Sequence, residues 1–393
     1  MYPRDTARAV RYGAYVHIPW CRARCPYCAF TVSVRRDRPH AAYTDAVLRE
    51  WDLRRAAFPA SPPETVFFGG GTPSLTPPGE IARILRGLAP APGAEVSLEA
   101  NPHDLDAPTI DGLRSAGVTR LSVGVQGFDA RTAGVLGRRQ DSRAAPAVLR
   151  HVARAGFASW SLDLIFGAPG QTREDWMREL DAARALEPPH VSLYGLTIED
   201  GTAFAAGVAR GRVRPPDDDA WHAMYADAVA ALGSAGLARY EVSNFARPGH
   251  RCVHNEHYWL GRPWAGLGVG AHGWELDGTR TVNTSDVDAY LRPGDPTVSR
   301  ERPVGTVLLA ELLGSGLRHV DGIDTDVLAV RTGLRLRPDP ALHAHGLLTA
   351  RGARLLLTDA GFPLVDAVVA RLLRDAVSAP PGDASGDALP PAR

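Results

Sequence analysis

Cys21, Cys25 and Cys28 lie in the segment HIPWCRARCPYCAF with the spacing C-x3-C-x2-C, and Phe30 stands where a fourth cysteine could follow. Iron–sulfur clusters are held by cysteine thiolates. Three thiolates on one tight loop leave one iron of a four-iron cubane without a protein ligand, open to chelation by a small molecule. Two other readings stay open on spacing alone. A structural zinc site shows paired C-x2-C or C-x2-C/H-x3-H elements, and no second pair follows. A disulfide framework suits short secreted chains, whereas this chain has 393 residues and four cysteines.

The elements that would position such a loop are readable as alternation. Tyr15–Pro19, Thr65–Phe68, Val96–Ala100, Arg120–Val125, Ser161–Phe166 and Val191–Leu196 read as six short strands. Amphipathic stretches separate them; Tyr43, Val47, Trp51 and Phe58 recur near the helical period. Strand-then-helix repeated in this way predicts a parallel sheet with right-handed crossovers, curled into a partial barrel. Ligands of such sheets lie at the carboxyl ends of the strands.

Polar and glycine residues stand at those ends. Gly69-Gly70-Gly71-Thr72 follows the second strand, where missing side chains admit a ligand to the backbone, or simply allow a tight turn. Glu99 ends the third strand and Gln126 the fourth. Arg138 follows a short helix, and its planar fork suits a carboxylate. Asp163 interrupts an apolar strand, and a buried Asp demands a donor or a ligand hydroxyl. Taken singly, each has a structural explanation. One polar residue per strand end points to a ligand.

Composition narrows the chemistry. Acidic and basic residues balance at 44 each, so no global field attracts nucleic acid or an anionic membrane. All 44 basic residues are Arg, which excludes Schiff-base or general-base lysine chemistry and with it pyridoxal phosphate. No apolar run approaches the roughly 18 residues of a membrane helix, and no signal peptide is visible. Clustered cysteines, with a low-potential cluster to protect, lead to the expectation of a reducing, cytoplasmic setting.

The cysteine spacing with Tyr27 before the third cysteine resembles the radical S-adenosylmethionine (SAM) superfamily. The order Tyr15 in YVHIPWC, GGGTP, SLEANP, SVGVQGF, LGR and DLIFGAPGQT is similar to its coproporphyrinogen-dehydrogenase-like branch. The resemblance covers roughly residues 14 to 375. It implies a partial (β/α)6 radical SAM barrel and a smaller C-terminal α/β or helical domain. It also implies a [4Fe-4S] cluster on Cys21, Cys25 and Cys28, with SAM on the open iron. An electron from the reduced cluster would split the sulfonium to a 5′-deoxyadenosyl radical. Carried over by motif, SAM contacts fall to Tyr15, Tyr27, Gly70, Gly71, Thr72, Glu99, Gln126, Arg138 and Asp163. Gly266–Gly273, GLGVGAHG, formally contains G-x-G-x-x-G but lacks the βαβ unit of a dinucleotide site. By resemblance this turn closes the mouth of the SAM cavity, with His272 near the ligand.

Within that branch, coproporphyrinogen III dehydrogenases read C-x3-C-x2-C-x-C after a longer N-terminal arm. Phe30 at the extra-cysteine position, with only twenty residues before Cys21, resembles the sister group, the HemW-type haem chaperones. Their H-N-x-x-Y-W element is present as His254 to Trp259. This resemblance implies haem as ligand, with His254 a candidate contact and flanking aromatics to stack on a porphyrin. A His and Trp cluster could equally be core. Cys252 reads as a packed thiol, with a haem thiolate as the alternative. The implied partners are a haem-accepting protein, soluble or membrane-associated, and an electron donor such as flavodoxin or ferredoxin, with no nucleic acid. The alternative function is oxidative decarboxylation of coproporphyrinogen III propionates to vinyls.

The expected organisation is a barrel core over 1–205, a barrel extension over 206–300 carrying the HNxxYW and GLGVGAHG segments, a C-terminal domain over 301–377, and a disordered tail over 378–393. Asp217–Ala235 reads as one helix, opened by Pro215-Pro216 and closed by Gly236. A second helical stretch is expected at Val307–Leu313.

Overall fold

The computed structural model describes residues 11–138, 145–337, 339–374 and 376–378. Two units emerge, Met1–Arg302 and Pro303–Arg393. In the larger, the six expected strands form as β1 (Gly13–Ile18), β2 (Thr65–Gly70), β3 (Glu95–Ala100), β4 (Arg120–Gln126), β5 (Ser159–Phe166) and β6 (His190–Gly195). They pair in sequence order and all in parallel. Helices α1 (His40–Arg54), α2 (Pro78–Leu88), α3 (Ala107–Ala116), α4 (Ala130–Val135), α5 (Ala145–Arg154) and α6 (Arg173–Arg184) fill the intervals between strands. Helix boundaries follow local chemistry. Asp106 caps α3 and Gly117, at φ 108°, ends it; Thr172 and Asp175 make a capping box on α6.

Period-two alternation assigns the two faces of the sheet. Val66 and Phe68, Leu98, Leu121 and Val123, Leu162 and Leu164, and Val191 and Leu193 are buried. They form the core with helical stripes such as Ile81, Ile84, Leu85 and Leu88 of α2. Each such side chain contributes roughly 1.5–3 kcal/mol on burial. The intervening positions carry the other face: register aligns Glu99 with Ser122, Ser122 with Ser161, and Ser161 with His190. The next layer aligns Gly124 with Asp163 and Asp163 with Ser192. That inner face is polar.

Beyond β6 come α7 (Ala203–Ala209) and α8 (Asp218–Ser234), the latter capped by Asp217 and matching the helix read over Asp217–Ala235 to within a residue at each end. Then follow β7 (Ala238–Arg239), β8 (Asn244–Ala246), α9 (Val253–Trp259), β9 (Trp264–Leu267), β10 (His272–Trp274), β11 (Arg280–Asn283) and β12 (Thr297–Glu301). The complete sheet runs β12-β11-β10-β9-β1-β2-β3-β4-β5-β6-β8-β7. Strand β9 is parallel to β1, and β10 to β12 continue antiparallel. Residues 1–205 and 206–300 thus share one unit and one sheet. The glycine-rich segment is the β9–β10 turn, with no nucleotide-type βαβ unit around it. Among the described residues no helix is long and apolar enough to cross a membrane.

A buried polar network pins that turn to α1. Glu50 and Arg54, 2% and 4% exposed, form an ion pair at 2.6 Å. Glu50 also accepts from Gly268 N at 2.9 Å and from Asn283 and Tyr290 at 2.7 Å each. Tyr43 donates to His17 O and accepts from Val269 N, which joins the same turn to β1.

The smaller unit contains helices at Gly305–Gly316, Thr325–Thr332, Pro340–Ala344 and Val365–Arg374 and a three-stranded sheet of Ile323–Asp324, Arg354–Leu357 and Leu348–Arg351. Leu309, Leu313, Leu317, Phe362 and Val368 are buried in it. Ser378, the first residue of the expected disordered tail, instead pairs with Leu334 in a two-residue strand. Backbone hydrogen bonding there overrides the local composition; 379–393 lie outside the described residues.

Removing one partner of a buried ion pair strands the other. Glu50→Ala should therefore cost about 3–5 kcal/mol in denaturant unfolding. A loss under about 1 kcal/mol, the range of an exposed pair, would show that the turn does not depend on Glu50.

Candidate functional site

The cysteine loop leaves β1 at its carboxyl end, and the glycine loop leaves β2 beside it. Cys21 N bonds to Ser33 O at 2.9 Å, while Gly71 N and Thr72 N bond to Ile18 O and Trp20 O at 2.8 Å each. The two loops therefore share backbone hydrogen bonds. A Cβ on Gly71 would lie 2.8 Å from the Pro19 carbonyl and Trp20 O, and Gly70 adopts φ +109° against the His17 ring. Both positions require glycine.

Cys21, Cys25 and Cys28 are half-buried. Burial pushes the Cys21 and Cys28 thiols up, each thiol is influenced by its neighbours, and Arg138 pulls both down. Among the described residues no three His, Cys, Asp or Glu side chains converge tightly enough for a single metal ion. A cubane takes each thiolate on a different iron, so it does not require the three thiols to converge on one point. Three partly exposed thiols near one guanidinium fit such a cluster. Phe30, 67% exposed, adds no donor.

Arg138 organises the polar side. Its Nε and Nη2 donate to Tyr27 Oη at 3.2 and 3.1 Å, and Nη1 donates to Asn101 Oδ1. Asn101 Nδ2 in turn donates to Thr72 Oγ1 at 3.2 Å, and Thr72 Oγ1 lies 3.6 Å from Cys21 Sγ. Asn101 closes the bridge between glycine loop and guanidinium, a role sequence reading missed although SLEANP contains it.

Two carboxylates face this cation from the inner sheet. Gly70 N donates to Glu99 Oε2 at 3.2 Å. Burial, then the Asp163 charge, raise the Glu99 carboxyl to about 8, opposed by the Gly70 hydrogen bond and Arg138. Asp163 accepts from Ser122 Oγ at 3.0 and 3.1 Å; burial raises its carboxyl, with Ser192, Ser122, Arg120 and Arg138 opposing. Among the described residues neither carboxylate has a cation in ion-pair contact. Gln126 adopts φ +66°, and its buried Oε1 lacks a hydrogen-bond partner. Positive φ and an unsatisfied buried acceptor coincide at this one residue. Tyr27, Gly70, Gly71, Thr72, Glu99, Gln126, Arg138 and Asp163 all lie at the carboxyl ends of β1 to β5 or in the loops after them.

Tyr15 and His272 occupy a different setting. With His17, Ala29, Phe30, Thr31, Tyr258, Trp264 and Gly270 they line a cavity of about 440 Å³. His17 Nε2 lies 2.7 Å from Thr31 O, which can only accept, so this nitrogen carries the proton and Nδ1 accepts from Tyr15 Oη at 3.0 Å. Burial lowers the His17 pKa, consistent with that neutral tautomer. His17 was not singled out in the sequence, although it is one of the residues of HIPWC.

His254, the candidate haem contact, lies in the interior of the ligand-free protein. It is 0% exposed, with Nδ1 2.8 Å from Thr65 Oγ1 and Nε2 2.8 Å from Tyr258 Oη. Phe67 stacks on its ring. Both nitrogens are engaged inside the barrel, so His254 is a core residue. Cys252 is buried too, its thiol pushed far up by desolvation and donating to Glu95 Oε1 at 3.4 Å. Glu95 also accepts from Val253 N and His254 N and so caps α9.

The radical SAM superfamily model matches residues 15–183. The haem chaperone HemW of Mycobacterium tuberculosis is 38% identical over 382 residues, 92% of this chain and 95% of the relative. HemW of Synechocystis is 37% identical over 327 residues, 79% of this chain and 78% of the relative. The mitochondrial radical S-adenosyl methionine domain-containing protein 1 of Bos taurus is 36% identical over 328 residues, 80% and 74% respectively. The solved structure of coproporphyrinogen III oxidase HemN from Escherichia coli, a radical SAM enzyme, matches with TM-score 0.77 at 24% identity, covering 93% of this chain and 90% of that one. That likeness establishes the shared fold. With identity sustained over almost the whole of a relative, the chain belongs to the HemW family of the radical SAM superfamily.

Proposed function

We propose that this protein is a haem chaperone that binds haem and passes it to an acceptor protein, with a SAM-chelated [4Fe-4S] cluster as resident cofactor. The observation that carries the reading is identity across 95% of a relative named a haem chaperone. Phe30 supports it, because a ring at this position gives the cysteine loop an apolar, exposed flank in place of a thiol.

Cys21, Cys25 and Cys28 would hold the cluster. The cluster and SAM supply one-electron reductive chemistry at the sulfonium when both are bound, with a flavodoxin- or ferredoxin-class protein as electron source. The chain's own residues then orient the ligand. Gly70 and Gly71 offer backbone without steric hindrance, and Thr72 adds a hydroxyl beside Cys21. Glu99 and Asp163 present carboxyl groups to an ammonium and to ribose hydroxyls. Arg138, fixed by Tyr27 and Asn101, presents positive charge to a carboxylate. Gln126 offers an unsatisfied acceptor. Tyr15, hydrogen-bonded to His17, joins this set to the neighbouring cavity, and His272 stands across that cavity.

Haem-loaded protein mixed with an apo-acceptor such as apomyoglobin should transfer haem, seen as the acceptor's Soret band. Reduced protein supplied with SAM and coproporphyrinogen III should form no protoporphyrinogen. Product formation would instead establish the dehydrogenase reading.

Cluster ligation gives a second expectation. Cys21→Ala, Cys25→Ala and Cys28→Ala should each abolish the visible iron–sulfur absorption, and Cys252→Ala should retain it. Loss in the Cys252 variant would make that thiol a ligand.

Glu99 gives a pH dependence. A carboxyl raised in the folded state from its ordinary 4.5 to about 8 binds more protons folded than unfolded. Stability of the ligand-free protein is therefore fullest at low pH and falls, from this group, as pH climbs from about 4.5 to about 8. A cationic ligand prefers the carboxylate, so SAM affinity should rise with pH toward about 8 and then level. Calorimetric titrations of Glu99→Gln should lose that rise; an unaltered pH profile would remove Glu99 from the site.

A further inference from the structure

We infer that the cavity beside the cysteine loop is a metalloporphyrin site, with the imidazole of His272 as iron ligand and the ring of Phe30 as its apolar wall. This deepens the haem-binding reading and rests on it.

His254 is enclosed, with both nitrogens hydrogen-bonded. His17 gives Nε2 to Thr31 O and takes Tyr15 Oη on Nδ1. His272 is exposed, lines the cavity, and no hydrogen bond to its ring is found among the described residues. Its position is nevertheless firm. Its backbone oxygen accepts from Trp264 Nε1 at 2.8 Å, and it begins β10, which follows the turn held by Glu50. A free imidazole on a fixed backbone is what an iron ligand requires.

The walls suit a flat aromatic ligand. Tyr15, Phe30, Tyr258 and Trp264 contribute rings to a cavity of about 440 Å³, within the roughly 300–1,000 Å³ of small-molecule sites. Phe30 leaves a large apolar ring 67% exposed at its edge, costly in water and explained by a ligand face against it. Tyr258 meets Trp264 edge-on with centroids 4.7 Å apart, and its hydroxyl is satisfied by His254, so its ring is held against the cavity. The site opens outward, which leaves one porphyrin edge and its propionates in water. A cargo that must be handed on needs that exposed edge.

Because Phe30 and Thr31 stand two and three positions after Cys28 in sequence, the porphyrin would lie against the loop that would hold the cluster.

Haem titrations on the full chain with its cluster assembled test this. Supporting residues of metal sites are worth about 10–100-fold in metal affinity, so His272→Ala should weaken haem binding by at least about tenfold and shift the Soret band. Added free imidazole should restore the wild-type spectrum in that variant. Phe30→Ala should weaken haem about two- to tenfold, the worth of an aromatic contact, without altering the spectrum. Cluster absorption and thermal unfolding verify that the variants fold; the His272 side chain is exposed and its backbone contact survives substitution. Wild-type titration and spectrum in folded His272→Ala would overturn the assignment. So would lost SAM affinity with haem binding unchanged, which would place His272 in the SAM site. If wild-type protein itself binds no haem, the chaperone reading fails first and this assignment falls with it.

Discussion

A parallel sheet with one polar face is the constraint on which this structure depends. Parallel strands in α/β folds are ordinarily apolar on both sides because helices cover both. Here the helices cover one face, where Phe68, Leu98, Val123 and Leu164 are buried. The inner face carries Ser97, Glu99, Ser122, Ser161, Asp163 and Ser192, which cannot form a second apolar core. Its groups must find partners in each other or in a ligand. The Ser122–Ser161–Asp163 contacts satisfy part of the demand. The remainder lies toward the strand ends, where Glu99 and the Gln126 acceptor face the loops.

Electrostatics concentrates there. Glu99 and Asp163 are both raised by burial and Glu99 again by its neighbour, so the ligand-free site is short of positive charge. Arg138 is the cation that influences both carboxylates and two of the thiols, but Tyr27 and Asn101 absorb its hydrogen bonds. A ligand with an ammonium and a carboxylate answers both deficits: the ammonium compensates Glu99 and Asp163, while the carboxylate meets the Arg138 side. The chain's fixed groups would thus suit the zwitterionic ligand proposed above in one orientation.

Much of this was legible in the sequence because two periods coincide in it. SLEA, RLSVGVQ and the first half of SWSLDLIF alternate, and the pattern that identifies strands also separates their polar members from the apolar ones. The cysteine spacing and the glycine loop were legible for the same reason: their chemistry is local. Strands β9 to β12 were not, because WAGL and HGW are short and glycine-bearing and become strands only by pairing with β1 and with each other. The roles of Asn101 and Glu50 also escaped. A long-range hydrogen bond from Asn101 to Arg138, or from Glu50 to Gly268 more than two hundred positions away, leaves no periodic trace.

The HNxxYW element spends its polar atoms on packing around α9. Imidazole chemistry draws attention to His254, whose ring lies between Thr65, Phe67 and Tyr258 with both nitrogens hydrogen-bonded. Glu95 holds the first turn of α9, and His254 holds the hydroxyl of Tyr258 one turn later. The polar atoms of the motif are therefore consumed within the barrel, and what reaches the cavity is the aromatic face of Tyr258. The same division recurs at β1, where His17 holds the hydroxyl of Tyr15 and leaves its ring on the wall. Two histidines thus act by orienting two tyrosines, and of the two imidazoles that line the cavity His17 is the one spent on hydrogen bonds.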